Sequence, residues 1–256
     1  MDKLSKWLLA STALVAAGPV LAASSGNFTA TVDNGNCTIN SANGSFNGNG
    51  SSAVAAGTVF EIFSEVMTIN IANGQGTALV ITPSLVTGLF TDNQITSKSA
   101  TSTQDVGIQV QVNVTGPGPI SIAPKTMGDA NNVTDTGATC TPEAAPAGQV
   151  TKASCVIYDQ RFIQISSNVL QSLSACSTTV SGSINTCFEL IESTLSAHAF
   201  NFYVQAPGGT YNVDVDAQLF VGKNNTNNGS IAGCAGPGTV TVEQVKNFSF
   251  NTPISF

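Results

Sequence analysis

Ile108-Gln109-Val110-Gln111-Val112-Asn113-Val114 alternates without a break, four β-branched residues interleaved with two glutamines and an asparagine. Successive side chains of an extended strand point to opposite faces. The stretch therefore reads as a half-buried strand of an antiparallel sheet, one side on a core and one side wet. Gly116-Pro117-Gly118-Pro119 ends it. A second alternation runs Tyr211, Val213, Val215, Ala217, Leu219, Val221, with Asn212, Asp214, Asp216 and Gln218 opposite. A third is His198, Phe200, Phe202, Val204, and the turn Pro207-Gly208-Gly209 between the two makes them neighbours in a hairpin.

Shorter strands read out at Phe28 to Val32, Thr68 to Ile71 and Ala78 to Ile81, and Val240 and Val242 alternate near the end. Residues 23–52 are dominated by Asn, Gly and Ser, with Asn-Gly turn signals at Asn34, Asn43, Asn47 and Asn49. Two stretches read differently. Val59, Ile62, Phe63 and Val66 recur at helical spacing, which predicts a short helix over 59–67. Val169, Leu170 and Leu173 after Ser166-Ser167, then Phe188, Ile191 and Leu195, predict a helical insertion over 166–196. The expected fold is all-β: one antiparallel sandwich or jelly-roll domain over 23–256, carrying that short insertion.

Composition excludes several functions. Charged residues make up 9% of the 256, against about 25% in an average soluble domain, and the net charge is -7. With 42% hydrophobic residues the chain is not of disordered composition. A single arginine, Arg161, argues against nucleic-acid binding, and a single histidine, His198, against a catalytic zinc site.

The beginning of the chain reads as an export signal. Lys3 and Lys6 precede the apolar run Trp7 to Ala17, Gly18-Pro19 break it, and Val20-Leu21-Ala22 places small residues at a cleavage site. Cleavage near Ala22 sends the protein through the periplasm to the cell surface or beyond, with no membrane span left after signal removal. The six cysteines Cys37, Cys140, Cys155, Cys176, Cys187 and Cys234 then read as disulfides. Fifteen pairings exist. Local spacing favours Cys140 with Cys155 and Cys176 with Cys187, which leaves Cys37 with Cys234 to tie the ends together.

Candidate chemistry is sparse. His198 shares a strand face with Phe200 and Phe202, so it reads as a packing residue at the core margin, and no G-x-S-x-G elbow accompanies it. Glu189 and Glu192, and Glu61 and Glu65, would share helix faces and could serve as carboxylate pairs for hydrolysis, though a solvated acidic face looks the same. Asp159 and Arg161 point the same way in a strand, and the arginine most simply pairs with a nearby carboxylate. Asp214 and Asp216 share a polar strand face and could help hold a calcium ion, although no dense ligand run surrounds them; no other cofactor is implied. Tyr203, opposite in face to Phe202, is the one aromatic candidate for a sugar platform.

Two features bear on assembly. Phe28, Ala30 and Val32 lie a few residues after the cleavage site, where a donor strand could pair with another subunit. The C-terminal Phe248 to Phe256 also alternates and ends in phenylalanine, as closing strands of outer-membrane barrels do, but Pro253 and the six cysteines depart from that pattern.

Ile81-Thr82-Pro83-Ser84-Leu85-Val86-Thr87-Gly88-Leu89, Val156-Ile157-Tyr158-Asp159-Gln160-Arg161-Phe162, Ser193-Thr194-Leu195-Ser196-Ala197-His198-Ala199-Phe200 and Gly238-Thr239-Val240-Thr241-Val242-Glu243 resemble stretches of a group of uncharacterised exported bacterial proteins. The resemblance covers roughly residues 78–245. It implies an exported β-rich domain and transfers no catalytic residue. The expected function is a non-enzymatic structural protein of the cell surface or extracellular matrix, a fibre-like subunit pairing strands with itself or with other surface components. The alternative is a secreted glycan- or ligand-binding module, and a carboxylate-pair hydrolase is the third reading.

Overall fold

The computed structural model describes residues 27–33, 37–39, 46–47, 59–71, 77–95, 102–124, 140–165, 188–222 and 230–246. All regular structure among them is β. Twelve strands follow in order: β1 Phe28–Asp33, β2 Thr38–Ile39, β3 Phe46–Asn47, β4 Val59–Ile71, β5 Thr77–Ile95, β6 Ser102–Gly116, β7 Ser121–Ala123, β8 Val150–Ile165, β9 Phe188–Ala199, β10 Phe202–Gln205, β11 Gly209–Val221 and β12 Ile231–Lys246. No helix among the described residues is long and apolar enough to cross a membrane.

The strands form two main antiparallel sheets and one small hairpin of β2 and β3. In the first sheet the order is β1-β12-β5-β10-β7, and β9 follows β10 along the same edge of the long β5. The second runs β4-β11-β6-β8. The two sheets share one core. Ile108, Val110, Val112 and Val114 of β6 and Val213, Val215, Ala217 and Leu219 of β11 meet Leu79, Ile81, Leu85 and Leu89 of β5, Phe202 and Val204 of β10, and Val240 and Val242 of β12. Burying such side chains contributes about 1.5–3 kcal/mol each, so the alternating apolar faces supply the driving force for closing the sheets together.

The expected wet face of β6 is covered. Gln109, Gln111 and Asn113 are as buried as the valines between them. Among the described residues, the non-regular segment 140–149 lies against this face, held by the Cys140–Cys155 disulfide and by Gln111 Nε2, which donates to the Thr141 carbonyl at 2.9 Å. Gln109 Nε2 donates to Gln218 Oε1 at 2.6 Å and Gln111 Nε2 to Asn113 Oδ1 at 3.1 Å, so amides pair with amides beneath it. These bonds offset the desolvation that burial imposes on polar side chains.

The first sheet has a matching arrangement. Gly233 faces inward, where a Cβ would lie 2.7 Å from Leu219, so its neighbour Cys234 faces outward. Cys234 is bonded to Cys37, next to the β2–β3 hairpin, and both sulfur-bearing residues are buried. Each disulfide thus pins a short segment onto an outer sheet face.

The expected hairpin is not formed: His198 belongs to β9 and Phe202 and Val204 to β10, which pairs β5 and β7 in the first sheet, whereas β11 pairs β4 and β6 in the second, so the turn at 207–209 carries the chain between sheets. Both helical predictions also fail where they can be followed. Residues 59–67 belong to β4, paired with β11 from Gly209↔Ile71 to Phe220↔Val59, and 188–196 belong to β9, paired along β5. Residues 166–187, with Cys176 and Cys187, lie outside the described residues, as do the leader 1–22 and the C-terminal 247–256.

Candidate functional site

Every other residue of β11 faces the core, which leaves Asn212, Asp214, Asp216 and Gln218 on the outer side of the second sheet. The register sets Asp214 beside Asn113 and Asp216 beside Gln111. The segment that covers this face adds a third carboxylate: ligand oxygens of Glu143, Asp214 and Asp216 all lie within 4.8 Å of one another. Glu143 is exposed, Asp214 half-buried and Asp216 only 4% exposed. Three carboxylates this close repel unless a proton or a cation is shared, and a hard cation with oxygen ligands suits the set. Sequence spacing pointed to Asp214 and Asp216 but missed Glu143. The one available signal was its place three residues after Cys140, whose bond to Cys155 delivers it to this face.

Tyr203 is not part of this group. It stands on the outer face of the first sheet, 43% exposed, between Val80 of β5 and Ala123 of β7, while Phe202 and Val204 point into the core. Asp214 and Asp216 face outward on the other sheet, so the two ligand-binding candidates are on opposite sides of the core.

His198 packs at the core margin. Its ring centroid is 5.7 Å from that of Tyr158, and its Nε2 is 2.7 Å from Ser196 Oγ. Tyr158 donates its hydroxyl to the Pro83 carbonyl at 2.9 Å. Burial pushes its phenol above the usual value, and a backbone hydrogen bond from Phe200 works weakly the other way. A depression of about 260 Å³ is lined by Ser84, Leu85, Val86, Ala197, His198, Ala199 and Pro237, and no carboxylate is among them.

The paired-carboxylate candidates lose their premise. Glu189 and Glu192, three apart on strand β9, point to opposite faces. Glu192 lies 3.9 Å from Arg161, and Gln94 donates to Glu189 at 3.4 Å. Glu61 and Glu65 lie in strand β4, whose register with β11 shifts between Ala217 and Gln218. Arg161 finds its carboxylate on the facing sheet. It also donates to Thr91 Oγ1 at 3.1 Å and Thr194 Oγ1 at 3.0 Å, joining β8 to β5 and β9.

β1 is paired along its whole length with β12, from Phe28↔Glu243 to Asp33↔Gly238. Its side-chain pattern is inverted relative to a core strand. Thr29 and Thr31 are half-buried, whereas Phe28 is 58% and Val32 63% exposed, with Ala30 exposed between them.

No family model matches the chain, and no curated protein matches it.

Proposed function

We propose that the protein is an exported β-sandwich that works as a non-enzymatic structural subunit of the cell surface or extracellular matrix, associating with its own copies or other surface components through strand pairing. One observation carries this: the row Phe28, Ala30, Val32 projects into solvent from an edge strand with a single strand partner among the described residues. Unprotected apolar edges are where chains add strands to one another. The leader, the bridged cysteines and the resemblance of residues 78–245 to exported proteins support the compartment.

The test is sedimentation and negative-stain microscopy of the exported, oxidised mature protein. Concentration-dependent dimers, oligomers or filaments are expected in the micromolar range. A strict monomer up to roughly a hundred micromolar removes the proposal.

The cluster of Glu143, Asp214 and Asp216 favours a second reading, a calcium-assisted binding module. Calcium at about a hundred times its dissociation constant would stabilise the fold by about 2.7 kcal/mol, roughly 5–10 °C for a domain of this size. Scanning calorimetry in calcium against chelator, with Glu143→Gln as control, reads it directly. Identical midpoints dismiss the calcium site.

A further inference from the structure

The edge of β1 that has no strand partner among the described residues has a definite hydrogen-bonding phase. Gln244 N–H donates to the Asn27 carbonyl at 2.8 Å, one step beyond the Phe28↔Glu243 pair. Backbone polar groups of an extended strand alternate sides residue by residue. Asn27, Thr29, Thr31 and Asp33 therefore turn theirs to β12. Phe28, Ala30 and Val32 turn their N–H and C=O groups to the open edge. The same three residues carry the outward side chains.

Two of the devices that blunt an edge, basic or proline residues and a bulge, are missing from its first five residues. Phe28-Thr29-Ala30-Thr31-Val32 holds no lysine, arginine or proline, and its register against β12 runs without a bulge. The mature chain, without Asp2, Lys3 and Lys6, has 6 basic and 14 acidic residues, and the net charge of -8 keeps copies apart over most of the surface, so a charge-free strip is where two can approach.

We infer that β1 pairs antiparallel with β1 of a second copy about a two-fold axis through Ala30; this rests on the self-association proposed above. Residues opposite each other must share a face, and on this edge both must belong to the set 28, 30, 32. One register uses all three: Ala30 opposite Ala30, and Phe28 opposite Val32 in both directions. It forms six main-chain hydrogen bonds and satisfies every edge group from Phe28 to Val32. It lines up the two apolar rows on one outer face, with the smallest side chain on the axis. It also sets Asp33 opposite Asn27, so no like charges meet. Shifting by two residues leaves a pair of these groups without a partner.

The interface is isologous and therefore closed. It joins two first sheets in the order β12-β1-β1-β12, and the unit of any larger assembly is a dimer rather than a head-to-tail chain of donated strands.

The test uses the oxidised mature protein in analytical ultracentrifugation. Ala30→Pro removes an N–H that points away from β12, so the variant should keep its melting temperature within about 2 °C. Its dimer dissociation constant should rise at least tenfold. Ala30→Lys places two ammonium groups face to face, and Ala30→Glu two carboxylates. Each should be monomeric alone, and an equimolar mixture should recover dimers, because residue 30 of one copy meets residue 30 of the other. A wild-type dimer that persists in both Ala30→Pro and Ala30→Lys overturns the β1 pairing while leaving self-association standing. A monomeric wild type overturns both.

Discussion

Replacing Cys37 and Cys234 together by alanine is expected to lower the unfolding free energy by about 5 kcal/mol, the larger of the two disulfide effects. The bonded residues are 197 apart in sequence, and the cost of closing that loop falls on the unfolded chain when the bond is present. A loss of this size is comparable to the whole stability of many domains, about 5–15 kcal/mol. The Cys140–Cys155 bond spans only 15 residues and should contribute about 3 kcal/mol. Its removal has a more local consequence, because the segment 140–149 is bonded to the β6 face that carries Gln109, Gln111 and Asn113 through Gln111 and the disulfide itself. Urea unfolding of the two double variants gives the ranking, and hydrogen exchange of β6 amides reports the lifted cover. If the shorter bridge proves the costlier one, chain entropy is not what these bonds supply.

Tyr211→Ala should cost about 4 kcal/mol, from lost burial and the cavity left behind. The side chain is fully buried at the start of β11, against the backbone of Gly116, where a Cβ would lie 2.2 Å from its ring. Its hydroxyl lies 2.9 Å from the Pro117 carbonyl and 2.8 Å from that of Pro207, tying the end of β6 to the turn before β11. Tyr211→Phe keeps the ring and removes the one hydroxyl proton that the two carbonyls share, a loss of about 1 kcal/mol because both belong to exposed prolines that water can reach. Gly116→Ala attacks the same contact from the other side and should fall between the two. Chemical denaturation of the three variants separates ring from hydroxyl. Equal losses for Tyr211→Phe and Tyr211→Ala would show that the cavity is immaterial and the hydroxyl alone matters.

The strands that can be read without a structure are those whose alternation is unbroken. β6 and β11 have one apolar residue at every second position, and both lie in the middle of the second sheet. β4 was misread as a helix because its partner register shifts at Ala217/Gln218. The interruption breaks the period of two and leaves apolar residues three and four apart. β9 was misread for another reason. After Leu190, which packs on Ile165, the row it turns toward the facing sheet is polar: Glu192, Ser196 and His198 are half-buried and Thr194 exposed, with Arg161 and Thr91 among their partners, while Ile191 and Leu195 stay exposed on the other face. A strand whose half-buried row is mostly polar and whose exposed row holds Ile191 and Leu195 offers no conventional pattern to recognise.

The site followed the same division. Asp214 and Asp216 are two apart on one strand, so their shared face is a local property of the chain. Glu143 joins them across more than seventy positions through a neighbouring disulfide, and Tyr203 is separated from them by the thickness of the core.

The sequence by itself determined the β class, the two central strands and the core row of each; for the cysteines its spacing only favoured, among fifteen pairings, the Cys37–Cys234 and Cys140–Cys155 bonds that the structure holds. Those are consequences of side-chain alternation and of distance along the chain. Tertiary structure alone decided that the polar face of β6 is dry, that β4 and β9 are strands, and that Phe28, Ala30 and Val32 face outward from an edge. Which face of a strand meets water depends on what folds over it, and the covering segment comes from elsewhere in the chain.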